Sequence, residues 1–266
     1  MSAGRKAAMA GLNVEIHGSE EHPALMLLHG FMSSNLQWSP NQEALRKRFH
    51  LIEVELWGHG GSPAPRDPDR YSVASYLSEF EAIRKRVGID SWFVCGQSFG
   101  AGIIIRYALA HPRSVRGLII TNSRSALNDV AAEGQPHGTF AAWQALDLRA
   151  LPYHPCQARR FPAALKAQME EAADRIDRFA LWQATRTTAK NLSCRSRAAE
   201  IDVPTILVYG RWEKAFQADR EFAAATIPAL EVADLDGGHA VNIEAADGFN
   251  EAVIAFAARH AGTRST

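Results

Sequence analysis

The stretch Ser91-Trp92-Phe93-Val94-Cys95-Gly96-Gln97-Ser98-Phe99-Gly100-Ala101 decides how this chain is read. Its first five residues form a short run rich in β-favouring side chains, which predicts a buried strand. Ala101 to Ala110 follows as an apolar helix that ends near His111-Pro112. The turn Gly96-Gln97-Ser98-Phe99-Gly100 joins the two and sets one hydroxyl at the joint. Glycines at 96 and 100 suit a place where strand and helix backbones pass too close for larger side chains. A serine hydroxyl is a poor nucleophile on its own; it needs a base beside it and a turn that exposes it. Gly-x-Ser-x-Gly between a strand and a helix is such a turn. Ser98 is therefore the candidate nucleophile.

Outward from this turn, short apolar runs alternate with longer amphipathic stretches, the pattern of a mostly parallel sheet flanked by helices. Ala24-Leu25-Met26-Leu27-Leu28 reads as a buried strand ending at His29-Gly30, and Leu51-Ile52-Glu53-Val54 as the next. The latter runs into the glycine-rich loop Trp57-Gly58-His59-Gly60-Gly61-Ser62. Ser72 to Val87 reads as a helix, with Tyr76, Phe80, Ile83 and Val87 on one face, and Gly88 stops it. Further strands are expected at Gly117–Thr121, Thr205–Tyr209 and Leu230–Val232, and a last amphipathic helix over about Glu244–Arg259.

The rhythm breaks between Thr121 and Thr205, where no strand is evident and aromatic residues are frequent. Residues 125–196 are expected to form a helical cap inserted into a core made of 1–124 and 197–266. Phe140, Trp143, Phe179 and Trp182 are the candidate walls of a substrate pocket, since such pockets are mostly apolar.

Among the ten histidines, His239 is the best candidate base. It follows the last strand in Gly237-Gly238-His239, a loop on the sheet edge that carries Ser98. His29 is expected to brace its loop instead. His59 lies in the glycine loop, His111 precedes a proline, and His137 and His154 fall in the cap.

These motifs together resemble the α/β-hydrolase superfamily, over about Leu12 to Arg259. The segment from Gly238 to Phe249, including Glu244 and Phe249, is similar to the one that follows the catalytic histidine there. The resemblance implies a Ser…acid…His order along the chain. Members commonly carry Gly-x-x-Asp after the corresponding strand; here Gly210-Arg211-Trp212-Glu213 puts Glu213 in the acid's place. Asp236 is the main rival and Asp129 a remote third. The loop His29-Gly30-Phe31 resembles the one that gives a backbone N–H to the oxyanion, so the amides of Phe31 and Phe99 are the expected donors. Serine at 98 excludes the branches that use an aspartate nucleophile.

The expected reaction is acyl transfer to water from a small ester, thioester or lactone. Carbon–carbon hydrolases of ring-cleavage products, a menaquinone-pathway lyase and a non-catalytic receptor on the same fold are the alternatives. The lyase family places an arginine soon after its nucleophile, where this chain has Ala101-Gly102.

Twenty-nine basic residues balance twenty-nine acidic ones, which argues against a nucleic-acid binder. The one basic cluster, Arg46-Lys47-Arg48, falls at an expected helix end, where positive charge complements the dipole. No stretch is apolar and long enough for a membrane span or a secretory signal, so cytoplasm is the expected address. Cys95, Cys156 and Cys194 show no metal-ligand spacing. No cofactor, metal, nucleic-acid or membrane partner is expected, and the chain is expected to be a monomer or homodimer.

Overall fold

The computed structural model describes residues 11–128 and 138–262. Seven strands form one sheet: β1 Val14–His17, β2 Ala24–Leu28, β3 His50–Val54, β4 Trp92–Gly96, β5 Val115–Thr121, β6 Thr205–Gly210 and β7 Glu231–Leu235. Their spatial order is β1-β3-β2-β4-β5-β6-β7. Only β1 runs antiparallel, in register Val14↔Val54 and Glu15↔Glu53 with β3; all other pairs are parallel.

Strand β1 was not expected, because Val14-Glu15-Ile16-His17 offers only four residues of alternation to a sequence reader. The other six fall where the apolar runs lie, β2 with its expected bounds and the rest with ends shifted by at most three residues. Parallel strands are covered on both faces and so read as continuous apolar runs. The alternation appears only in what each residue touches. Met26, Leu28, Val94, Leu118 and Ile120 join one core. Leu25, Leu27, Phe93, Cys95, Ile119, Ile206 and Val208 join the core on the opposite face.

Helices α1 (Ser39–Leu45), α2 (Val73–Arg86) and α3 (Phe99–Ala110) belong to the first half of the chain. Ser72 caps α2 by accepting from the amide of Ser75, and Tyr76, Phe80 and Ile83 are buried as their spacing predicts. Arg46 ends α1 and, with Lys47, pairs with Glu43. A short helical turn over Val241–Glu244 comes first, Ala245 leaves the helical region at φ −136°, and the expected last helix is present over Ala246–His260. From that helix Phe249, Val253 and Phe256 enter the second core.

Between β5 and β6 the described residues form helices α4 (Phe140–Ala145), α5 (Ala163–Asp174) and α6 (Arg178–Gln183) with shorter turns, and no strand. This insertion is tied to the glycine loop. Asp177 accepts two hydrogen bonds from Arg66, at 3.0 and 2.9 Å, and its own amide donates to Gly58 O. Gly58 (φ +72°) could carry no side chain there, because a Cβ would lie 2.2 Å from that of Ala180. No helix among the described residues is long and apolar enough to cross a membrane.

Candidate active site

Ser98 stands between the end of β4 and the first residue of α3, with φ +51° and ψ −110°. That conformation is rare for a residue with a side chain and marks a strained position held by its surroundings. Here the surroundings are specific. Gln97 N–H donates to Leu28 O at 3.1 Å, Gly100 N–H to Gln97 O at 2.9 Å, and the Ser123 hydroxyl to Ser98 O at 2.6 Å. The two flanking glycines are a steric necessity. A Cβ on Gly100 would sit 2.5 Å from the carbonyl oxygens of Leu28 and His29, and one on Gly96 would sit 2.7 Å from the amide of Ala101.

The loop after β7 brings His239 to this turn. Its carbonyl accepts from the Gln97 side chain at 3.1 Å, and the Glu244 carboxylate accepts from Gly238 N–H at 3.1 Å. His239 Nε2 lies 2.8 Å from Ser98 Oγ, and His239 Nδ1 lies 3.0 Å from both oxygens of Glu213. A carboxylate only accepts, so the Nδ1 proton faces Glu213 and Nε2 is left to accept from the Ser98 hydroxyl. The imidazole is about half exposed (48%) and Glu213 less so (20%), which describes a site open to solvent on the histidine side.

Glu213 is fixed from behind by Asn122, which follows the last residue of β5. Asn122 Nδ2 donates to Glu213 Oε2 at 2.7 Å and to Gly210 O at 3.1 Å, while its Oδ1 accepts from Gly210 N–H at 3.0 Å. Burial alone raises the pKa of the Glu213 carboxyl. The hydrogen bond and charge of His239, with Asn122 and Arg124, outweigh that and hold it below its ordinary value. The rival acid is elsewhere. Asp236 is 71% exposed and lies 3.4 Å from Arg211. Asp129 and His137 fall outside the described residues.

The Phe31 and Phe99 rings meet at 5.6 Å. Phe99 is the first residue of α3, where an amide has no carbonyl one turn back to bond. Phe31 precedes Met32, which takes φ +56° and is fully buried. His29 braces this loop: its Nδ1 bonds Gly30 O at 2.8 Å, and its Nε2 accepts from Leu56 N–H at 3.1 Å. Burial lowers its pKa to about 4 and that of the neighbouring His59 to about 3, so both are neutral.

Three of the four aromatic residues expected to wall a pocket, Phe140, Trp143 and Trp182, pack in the insertion's own core, while Phe179 also meets Tyr71 and the sheet core. Phe140, Phe179 and Trp182 form a mutual cluster with ring separations of 5.4 to 5.7 Å. Trp143 packs with Leu148 and Leu181 against Met32. Tyr153, which sequence reasoning passed over, reaches nearer: its ring is edge-on to Phe31 at 5.9 Å, and it is 47% exposed. Asn122 was missed too. Its one sequence signal is its place at the carboxyl end of a parallel strand, where such sheets assemble their sites.

A parallel sheet with one antiparallel edge, a strained serine between strand and helix, and an acid and a histidine from the loops after the last two strands define a recognisable class. Residues 23–246 match the family model described as the alpha/beta hydrolase fold, and the chain belongs to that family. It is similar to the carboxylesterase YbfK of Bacillus subtilis, at 23% identity over 90% of this chain and 81% of that one. Among solved structures, the enol-lactonase from Burkholderia xenovorans superposes with a TM-score of 0.81 at 22% identity, covering 96% of this chain and 100% of that one. MenH from S. aureus superposes at 0.82 with 18% identity, over 96% and 100% of the two chains.

Proposed function

We propose that this protein is a serine hydrolase that cleaves a carboxylic ester, or a related thioester or lactone, of a small and largely apolar substrate. The observation that carries the reading is the continuous hydrogen-bonded relay from Ser98 Oγ through His239 to Glu213, at 2.8 and 3.0 Å. As Ser98 Oγ attacks the carbonyl carbon, its proton passes to His239 Nε2, and the ionised Glu213 stabilises the imidazolium that forms. The carbonyl oxygen becomes an oxyanion that the amides of Phe31 and Phe99 hold, each worth about 3 kcal/mol in comparable sites. His239 then protonates the leaving group, and water, activated by the same imidazole, releases the acid from Ser98.

The described residues of the insertion, 125–128 and 138–196, serve as a cap over this site, with Tyr153 and Phe31 at its junction with the core. The likeness to a carboxylesterase supports the ester reading. The arginine that marks the lyase branch is absent, since Ala101 and Gly102 stand there and are buried.

A panel of p-nitrophenyl esters, acyl thioesters, lactones and dienoic ketones tests the assignment. Turnover of the esters or lactones, lost in Ser98→Ala, is the expected result. Turnover of the dienoic ketones alone would replace ester cleavage with carbon–carbon cleavage.

A further inference from the structure

At the edge of the sheet, away from Ser98, three side chains of metal-ligand type converge: Glu15 and His17 of β1 and Glu53 of β3. Residues two apart on a strand share a face, and Glu15 is the register partner of Glu53, so all three project from the same side of the β1–β3 pair. Their ligand atoms lie within 4.8 Å of one another. Two carboxylates directly opposite each other destabilise a strand pair unless a positive charge stands between them or one takes up a proton; burial and the neighbouring Glu15 and Glu55 hold the Glu53 carboxyl well above its ordinary value.

Among the described residues no lysine or arginine pairs with either carboxylate, and the one cationic candidate beside them is His17 itself. Glu53 has a fully buried side chain, and both its oxygens accept from the neutral amide of Gln42 at 2.9 Å. His17 Nε2 is buried and has no hydrogen-bond partner among the described residues. It lies 3.9 Å from Glu15 Oε2 and 3.9 Å from Glu53 Oε2. No hydrogen bond spans that distance. Tetrahedral ligands at about 2.0–2.2 Å from one metal stand roughly 3.3–3.6 Å apart, so both His17–carboxylate pairs would close onto a shared ion with a movement of a few tenths of an ångström. The Glu15–Glu53 pair, within 4.8 Å, reaches the same range by a side-chain movement of about an ångström, which the partly exposed Glu15 can make.

A depression of about 210 Å³, lined by Glu15 together with Asn13, Ser34, Glu55 and Arg175, opens beside Glu15. From these observations we infer that Glu15, His17 and Glu53 bind a divalent transition-metal ion that clamps β1 to the sheet. One imidazole and two carboxylates suit zinc or manganese, whereas calcium and magnesium prefer oxygen alone. The cysteine pattern led the sequence reading to expect no metal; this site uses no cysteine, and it pairs a strand that reading missed with one it found.

The test is titration of chelator-stripped protein with zinc chloride by calorimetry, with thermal unfolding in parallel. One equivalent binds with a micromolar or lower Kd, and at a hundredfold excess over Kd the Tm rises by roughly 5 °C. His17→Gln and Glu15→Gln, both at partly exposed positions, each weaken binding at least tenfold and abolish the Tm rise. Their metal-free Tm stays near that of the parent, and ester hydrolysis by Ser98 is unchanged. His111→Ala, remote in sequence from the cluster, binds as the parent does. Absence of binding below millimolar zinc overturns the inference, as does binding that both cluster variants retain, which would mark an adventitious ion on other histidines.

Discussion

Replacing Glu213 by glutamine keeps the size of the side chain and removes its charge. In the structure that charge lies 3.0 Å from His239 Nδ1. A unit pair at this distance is worth about 5.5 kcal/mol at an effective dielectric of about 20. The imidazole is 48% exposed, so solvent screening removes roughly half, leaving about 3 kcal/mol. This stabilisation develops only as the imidazolium forms, so it belongs to the barrier and not to substrate binding. About 3 kcal/mol corresponds to a loss of roughly a hundredfold in kcat, with KM little changed. The assay is steady-state hydrolysis of a p-nitrophenyl ester, with Asp236→Asn measured beside it. Asp236 is exposed and sits by Arg211, so its variant keeps nearly full activity. A Glu213→Gln enzyme within fivefold of the parent, or an Asp236→Asn enzyme that fails, would refute the assignment of the acid.

Three further outcomes follow from the same geometry. Asn122→Ala removes the 2.7 Å hydrogen bond that orients Glu213; kcat falls about tenfold, in line with the roughly 1.5–3 kcal/mol of a hydrogen bond to a charged group, and an unchanged kcat would show that Glu213 is held without it. Gly100→Ala forces a Cβ to within 2.5 Å of two main-chain carbonyls, so its urea midpoint drops by an amount equivalent to about 3 kcal/mol or more. A Gly100→Ala protein as stable as the parent would contradict the close strand–helix crossing. Stability also depends on pH through His29, whose pKa burial lowers from 6.5 to about 4. Its contribution is complete above pH 6.5 and is lost as the pH falls toward 4, because the unfolded chain takes up the proton first. That gap corresponds to about 3 kcal/mol. His29→Gln keeps the bonds to Gly30 and Leu56 without titrating, so its urea stability falls less between pH 7 and pH 4.5. Equal falls in both proteins would exclude His29 as the source.

Much of the fold was legible because parallel strands buried on both faces leave uninterrupted apolar runs, as in Ala24–Leu28 and Thr205–Tyr209. Strand β1 left no such run, since Glu15 and His17 interrupt it. The short helix over Val241–Glu244 was hidden as well, because no glycine or proline separates it from the one that follows. Within the site, Ser98, His239 and Glu213 each follow a strand and sit beside glycines that the backbone requires, and spacing finds such residues. Asn122 lies outside any motif: its role depends on meeting Gly210 and Glu213 across two neighbouring strands. The aromatic residues of the insertion could not be sorted from composition. Rings that fill a core and rings that line a pocket are the same residue types, and here Phe140, Phe179 and Trp182 pack on one another, with Phe179 also against Tyr71.

The central claim is that His239 activates Ser98, and covalent labelling with a fluorophosphonate reports on it directly. The parent protein is labelled rapidly, with the adduct located by mass spectrometry on the peptide that carries Ser98. Ser98→Ala is not labelled, and His239→Ala is labelled at least a hundredfold more slowly. Labelling that persists in Ser98→Ala, or that proceeds at the parent rate without His239, would contradict the account.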